Sequence, residues 1–366
     1  MRYLKIAAVF AFWLVLEGCS SGGSEDDAPP PGDPAPPPSA LYVLGDSLSD
    51  VGNAAGLVDF VLSLSIFPPT VGLCNPIDVL VLLPLPCDNL FYLQSRVSDG
   101  PTAVEYLAAN FGLAELVPSL HIIPNPPVTG TNYAVASAKA REQGVEDLAN
   151  QVDTLLLAHG SALPTDTLYV VIIGGNDVID ALQAALEGAM DPQMAAAIVT
   201  AAVTAIGTNV ERLLDFGARR VVVANVPDLA TLPDVRVDAM ASADEAGWLA
   251  TASGISDSFN TELDAVLDGI ENSGRADLEL TRFDLRAALS TALDAATANG
   301  DNALDACFDS DAYRDSPIAD RTFHPDCEPG QDGTPRFADF VFWDGIHPTG
   351  ATHAAIGAAL VALFTP

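Results

Sequence analysis

The chain has 366 residues, 15 basic and 49 acidic, and a formal net charge of −34. An acidic excess of this size repels phosphate backbones and argues against a nucleic-acid partner. Hydrophobic residues make up 49% of the chain, enough for one large core, and the charges are dispersed as on a solvated surface instead of forming a tail.

Residues 1–18 read as an export signal. Arg2 and Lys5 give a positive start, and Ile6 to Leu16 form an apolar run too short to span a bilayer. Leu16-Glu17-Gly18-Cys19 follows and resembles the cleavage and lipidation box of bacterial lipoproteins, with Glu17 at a position where a small or apolar residue is usual. The expectation is an exported protein acylated at Cys19 and held at the membrane of the cell envelope by that lipid. Plain secretion is the alternative. Residues 19–40 are rich in Ser, Gly, Asp and Pro, including Pro29-Pro30-Pro31 and Pro36-Pro37-Pro38; this stretch reads as a semi-rigid tether.

From residue 41 to 366 apolar strand-like runs alternate with Ala/Leu-rich helical stretches, read as one domain. The runs are 41–44, 168–173, 220–226 and about 278–283. The helical stretches lie near 101–111, 144–158, 177–188, 192–216, 242–272, 284–298 and 350–363. This alternation argues for an α/β fold, a parallel sheet with helices on both faces. Two regions break it: 57–93, which is very apolar, and 300–340, which is rich in Asp, Gly and Pro. Both read as insertions. Cys74 and Cys87 fall in the first, Cys307 and Cys327 in the second. An even number of cysteines in an exported chain suggests two disulfides, and of three connectivities the sequence-local pairs Cys74–Cys87 and Cys307–Cys327 are expected. No Cys-x-x-Cys or His-x-x-x-His spacing supports a metal.

Leu41-Tyr42-Val43-Leu44 runs into Gly45-Asp46-Ser47-Leu48, which delivers a serine just past the end of a buried strand. Open α/β sheets keep their binding crevice at that end. A hydroxyl is a weak nucleophile without a base, and the base needs an orienting acid. Among five histidines, His347 stands in Trp343-Asp344-Gly345-Ile346-His347-Pro348. An aspartate three residues before a histidine reaches its Nδ1 across one turn and leaves Nε2 free; an ordinary helix-capping contact is the plainer reading. Gly174-Gly175-Asn176-Asp177 ends a second strand run with an amide that can donate to a developing oxyanion, while Asp177 reads as a helix cap. Gly130-Thr131-Asn132-Tyr133-Ala134 offers a glycine N–H, although a simple turn is its default reading.

In chain order, Ser47, Gly130, Asn176 and Asp344-x-x-His347, the four blocks resemble those of the GDSL (SGNH) hydrolases. Ser98-Asp99-Gly100-Pro101 also recurs in the branch with plant-type lipases and secreted bacterial lipase/acyltransferases. The resemblance spans about 41–363. It implies a three-layer α/β/α sandwich with a mostly parallel five-stranded sheet, and neither metal nor cofactor. It implies Ser47 as nucleophile, His347 as base and Asp344 as its orienting acid. The oxyanion donors would be the N–H groups of Ser47 and Gly130 and the amide of Asn176. The expected reaction is cleavage of a small-molecule or lipid ester through an acyl-enzyme. Acyl transfer to a lipid, sterol or sugar hydroxyl, or a non-catalytic surface lipoprotein, are the alternatives. The greasy segment 57–93 is a candidate acyl-chain lid.

Overall fold

Four short runs of β-branched and aliphatic residues build the sheet. They are β1 (Leu41–Gly45), β2 (Leu168–Ile172), β3 (Arg220–Ala224) and β4 (Glu279–Phe283), all parallel in the order β1-β2-β3-β4. Every residue of β2 is buried, as a strand covered on both faces requires. This computed structural model describes residues 36–57, 96–124, 130–186, 192–308, 323–327 and 337–365. A compact unit spans Pro37–Pro366.

A fifth segment completes the sheet without forming a regular strand. Residues 131–135 run parallel to β1 along its other edge: Val43 N donates to Thr131 O at 3.0 Å, Tyr133 N to Val43 O at 2.7 Å and Val135 N to Gly45 O at 3.1 Å. The outer edge of this segment is closed by residues 117–119, where Asn132 N donates to Val117 O at 3.1 Å and Ser119 N to Asn132 O at 2.8 Å, and by side chains. The Asn53 amide donates to the carbonyls of Asn132 (2.9 Å) and Ala134 (2.8 Å), and Asp50 accepts from Ala136 N at 2.9 Å. Backbone groups that would otherwise be orphaned in the core are thereby paired. The spatial order is therefore the edge segment, β1, β2, β3, β4. The chain leaves β1 in both directions, so the crevice beside the C-terminal ends of β1 and β2 is the topological switch point.

Helices cover both faces. Helices α2 (Leu148–His159), α3 (Gly175–Leu186), α4 (Pro192–Asp215) and α6 (Glu245–Glu271) pack on one another as one layer; α1 (Ala103–Asn110), α7 (Leu285–Asn299) and α8 (Gly350–Ala362) form the other. Helix α4 is long and apolar enough to cross a membrane by composition, yet it packs against α2, α3 and α6. Helix α5 (Pro233–Ala241), with Pro233 in its first turn, fills a stretch that the periodicity left unassigned.

The 300–340 region is more than a loop. Within it β5 (Asn302–Ala306) pairs in parallel with β6 (Phe340–Phe342), and Cys307 is bonded to Cys327 with Cα atoms 5.4 Å apart. Cys307 N and Phe308 N donate to the carbonyls of Phe342 and Trp343, which extends the pairing to the residue before Asp344. Cys19, Cys74, Cys87 and nearly all of 57–93 lie outside the described residues.

Candidate active site

Strand β1 stops where a side chain would collide. A Cβ on Gly45 would lie 2.2 Å from the carbonyl oxygen of Ile172 on β2, so only glycine allows the chain to pass. Gln151 of α2 grips the same residue: its Oε1 accepts from Gly45 N at 2.8 Å and its Nε2 donates to Gly45 O at 2.7 Å. Two residues later Ser47 lies at the floor of a cavity, 8% exposed.

The histidine arrives from the far end of the chain. Strand β6 leads into Trp343 and Asp344, and the loop closes on itself through Trp343 N donating to His347 O at 2.7 Å. Ser98 Oγ donates to Pro348 O at 3.0 Å, and Asp99 Oδ1 accepts from Gly350 N at 2.6 Å. The Ser98-Asp99 stretch thus buttresses the histidine loop. Thr349, and not Asp344, caps α8, its side chain accepting from Thr352 N.

His347 Nε2 lies 2.8 Å from Ser47 Oγ, and His347 Nδ1 lies 2.9 Å and 2.8 Å from the two Asp344 oxygens. Asp344 Oδ1 also accepts from the backbone N–H groups of Ile346 (3.0 Å) and His347 (2.7 Å). All three side chains are buried. Burial disfavours charge on His347, but the neighbouring Asp344 carboxylate overrides it and raises the imidazole pKa above its usual value. Burial likewise pushes Asp344 up; the His347 charge and the hydrogen bonds it accepts prevail and hold it below the usual carboxylate range. The carboxylate therefore stays ionised and faces Nδ1, which fixes the proton there and leaves Nε2 to accept from the serine.

Asn176, in the first turn of α3, lines the same cavity, and its Nδ2 donates one hydrogen to Ala138 O at 2.9 Å. The second amide hydrogen remains for a ligand. Asp177 does not cap its helix. It is buried and accepts from Ala140 N (2.8 Å) and the Arg141 guanidinium (2.9 Å), and so pins the segment carrying Ala138.

Gly130 is a correction. In the parallel register of the edge segment it falls beside the start of β1, at the opposite end of the sheet from Ser47. Its glycine is required elsewhere: a Cβ there would lie 2.1 Å from Val117 O and 2.3 Å from Pro118 O. The backbone of this block that reaches the cavity side is the turn at Ser137–Ala138, where Ser137 adopts φ of 69°. A non-glycine residue held in the left-handed region is a form of strain that gathers at functional sites.

Sequence reasoning passed over Asp46. It is 2% exposed, lines the cavity, and is pushed up to about 7, chiefly by burial. Its charge adds to that of Asp344 in raising His347. An imidazole that must accept a proton works only above its own pKa, so a raised pKa moves the acid limb of kcat/KM to higher pH. Asp46→Asn keeps an acceptor for Leu48 N and removes the charge; the acid limb is expected to move to lower pH, read from kcat/KM between pH 5 and 9. An unmoved limb would show that Asp46 does not act on His347.

Apart from His353, apolar side chains make up most of the rest of the wall, among them Leu48, Ile179, Leu229, Leu232, Leu285 and Leu289. Among the described residues no group of three or more His, Cys, Asp or Glu is placed to hold a metal ion.

A hydroxyl, an imidazole and a carboxylate joined in this relay at the switch point of a parallel sheet form a site of the serine-hydrolase class. The chain belongs to the GDSL-like lipase/acylhydrolase family, whose model matches residues 41–360. Lipase 1 of Photorhabdus luminescens is 29% identical over 201 residues, 53% of this chain and 23% of that protein, so the match spans less than a quarter of the relative's length. The solved structure of Est24, a carbohydrate acetylesterase from Sinorhizobium meliloti, covers 88% of this chain and 97% of its own at 15% identity and a TM-score of 0.34.

Proposed function

We propose that the protein hydrolyses carboxylic esters through a covalent acyl-enzyme. The observation that carries this reading is the 2.8 Å contact between Ser47 Oγ and His347 Nε2, with Asp344 on the other ring nitrogen. Ser47 Oγ attacks the ester carbonyl carbon while its proton passes to Nε2. The imidazolium so formed sits against the Asp344 carboxylate. It returns the proton to the departing alkoxide as the C–O bond breaks, leaving the acyl group on Ser47. Water, deprotonated by the same nitrogen, then releases the acid and restores the serine.

The negative oxygen formed during each attack is held by Ser47 N–H and the free Asn176 amide hydrogen, with the N–H of Ser137 in the strained turn as a further donor in place of Gly130, since Ala138 N–H is spent on Val135 O. Asn176→Ala is expected to lower kcat by about 10²–10³ with KM little changed. If turnover survives in a folded variant, the amide only anchors Ala138.

The apolar wall suits the acyl carbons, and it is built from described residues after β3 and on α7. Whether 57–93 adds to it is tested by an acyl-length series on a deletion of 62–88. The reading as a whole is tested with a fluorophosphonate probe and short 4-nitrophenyl esters: labelling and hydrolysis are expected, and a wild type that shows neither refutes it. Acylation at Cys19 and anchoring in the envelope rest on the sequence pattern. Cells fed labelled palmitate should yield a labelled chain that Cys19→Ala abolishes.

A further inference from the structure

The cavity beside Ser47 contains a polar side chain that the proposed mechanism leaves unused. His353 lies on the first turn of α8, six residues beyond His347, and lines the same cavity. It is 2% exposed, and neither Nδ1 nor Nε2 has a hydrogen-bond partner among the described residues. Its backbone is accounted for, with the N–H donating to Thr349 O at 2.8 Å. Ala103, Leu285, Leu289 and Ile356 line the same cavity.

Buried polar groups in folded proteins are paired almost without exception. An apolar side chain here would leave no polar atom unmet, whereas an imidazole leaves two ring nitrogens unmet. Burial holds His353 far below the usual histidine range, at about 3, so it is neutral at any working pH and carries one donor and one acceptor. A neutral ring of this kind matches a group that both donates and accepts. A carboxylate only accepts, an ammonium only donates, and either would have to be desolvated among apolar walls. A hydroxyl fits on each count.

We propose that His353 is a specificity-determining residue: its imidazole hydrogen-bonds a hydroxyl of the ester held against Ser47, so that hydroxylated esters are preferred over their plain alkyl counterparts. This rests on the ester-hydrolase reading above. The hydroxyl belongs either to the acyl chain or to the alcohol, and both present the same chemistry to the ring. Discrimination of this type is strong because a substrate without the hydroxyl leaves the buried nitrogens unpaired in the transition state as well.

The test is a pair of kcat/KM ratios. The acyl arm compares 4-nitrophenyl 3-hydroxybutyrate with 4-nitrophenyl butyrate; the alcohol arm compares glycerol monobutyrate with propyl butyrate by titration of released acid. The wild type is expected to favour the hydroxylated member at least tenfold in one arm, and that arm names the source. His353→Leu should bring the ratio to within about twofold of one, and His353→Gln, which can still donate and accept, should keep part of it. No preference by the wild type in either arm overturns the proposal, whether or not the variants fold. So does an unchanged ratio in His353→Leu. A wild type that hydrolyses none of the four esters and takes no fluorophosphonate label refutes the hydrolase reading itself, and the proposal falls with it.

Discussion

Ser47→Ala is expected to lower kcat by on the order of 10⁶ and to abolish fluorophosphonate labelling. Among the described residues the hydroxyl is the group lining the cavity placed to form a covalent bond while its proton leaves to a base 2.8 Å away. An alanine removes both the bond and the proton donor. The change should be tolerated by the fold. Ser47 is nearly buried and its side chain meets His347, so the cost is one hydrogen bond, about 1 kcal/mol. The substitution leaves the apolar walls of the cavity untouched. Single-turnover kinetics and a melting curve together check the result: lost chemistry with a nearly unchanged Tm supports the nucleophile. Activity above about one part in 10³ would assign the attack to another group.

The sheet was legible because its strands carry their burial in their own composition. Leu41 to Leu44, Leu168 to Ile173 and Val221 to Val223 are continuous apolar runs, and such runs fit only a sheet covered on both faces. The edge segment 131–135 was read as a turn because it opens with Gly-Thr-Asn and lacks a ladder; its pairing depends on Asn53 and Asp50, some 80 residues earlier in the chain. The same long reach misplaced Gly130. A glycine before a polar dipeptide looks like a ligand-facing turn, and only the register against β1 shows that it belongs to the other end of the sheet. Asp344 and His347 were legible because three residues span one turn. Asp46, Gln151 and His353 were not, since a buried polar residue is defined by what packs around it. Much of the apolar wall is equally non-local: Leu229 and Leu232 follow β3 and Leu285 and Leu289 lie on α7, in sequences that carry no mark of the cavity.

Asp344→Asn is the second large effect, about 10⁴ in kcat. The substitution is nearly isosteric. The asparagine oxygen can still accept from Ile346 N and His347 N, so the loop should keep its shape and the protein its fold. What changes is the proton on the imidazole. With both oxygens of the Asp344 carboxylate facing it, Nδ1 must carry the hydrogen. An amide that spends its oxygen on the backbone turns its NH₂ toward Nδ1, and the ring answers by moving its hydrogen to Nε2. That nitrogen then donates to Ser47 and cannot take its proton. The charge that raised His347 is also gone, so the residual activity should show an acid limb at lower pH than the wild type. The two readouts separate the roles. A fall in kcat with the limb displaced downward marks Asp344 as the group that sets both tautomer and charge. A fall in kcat with the limb in place would mean that the carboxylate only holds the loop, and the relay from 344 through 347 to 47 would have to be abandoned.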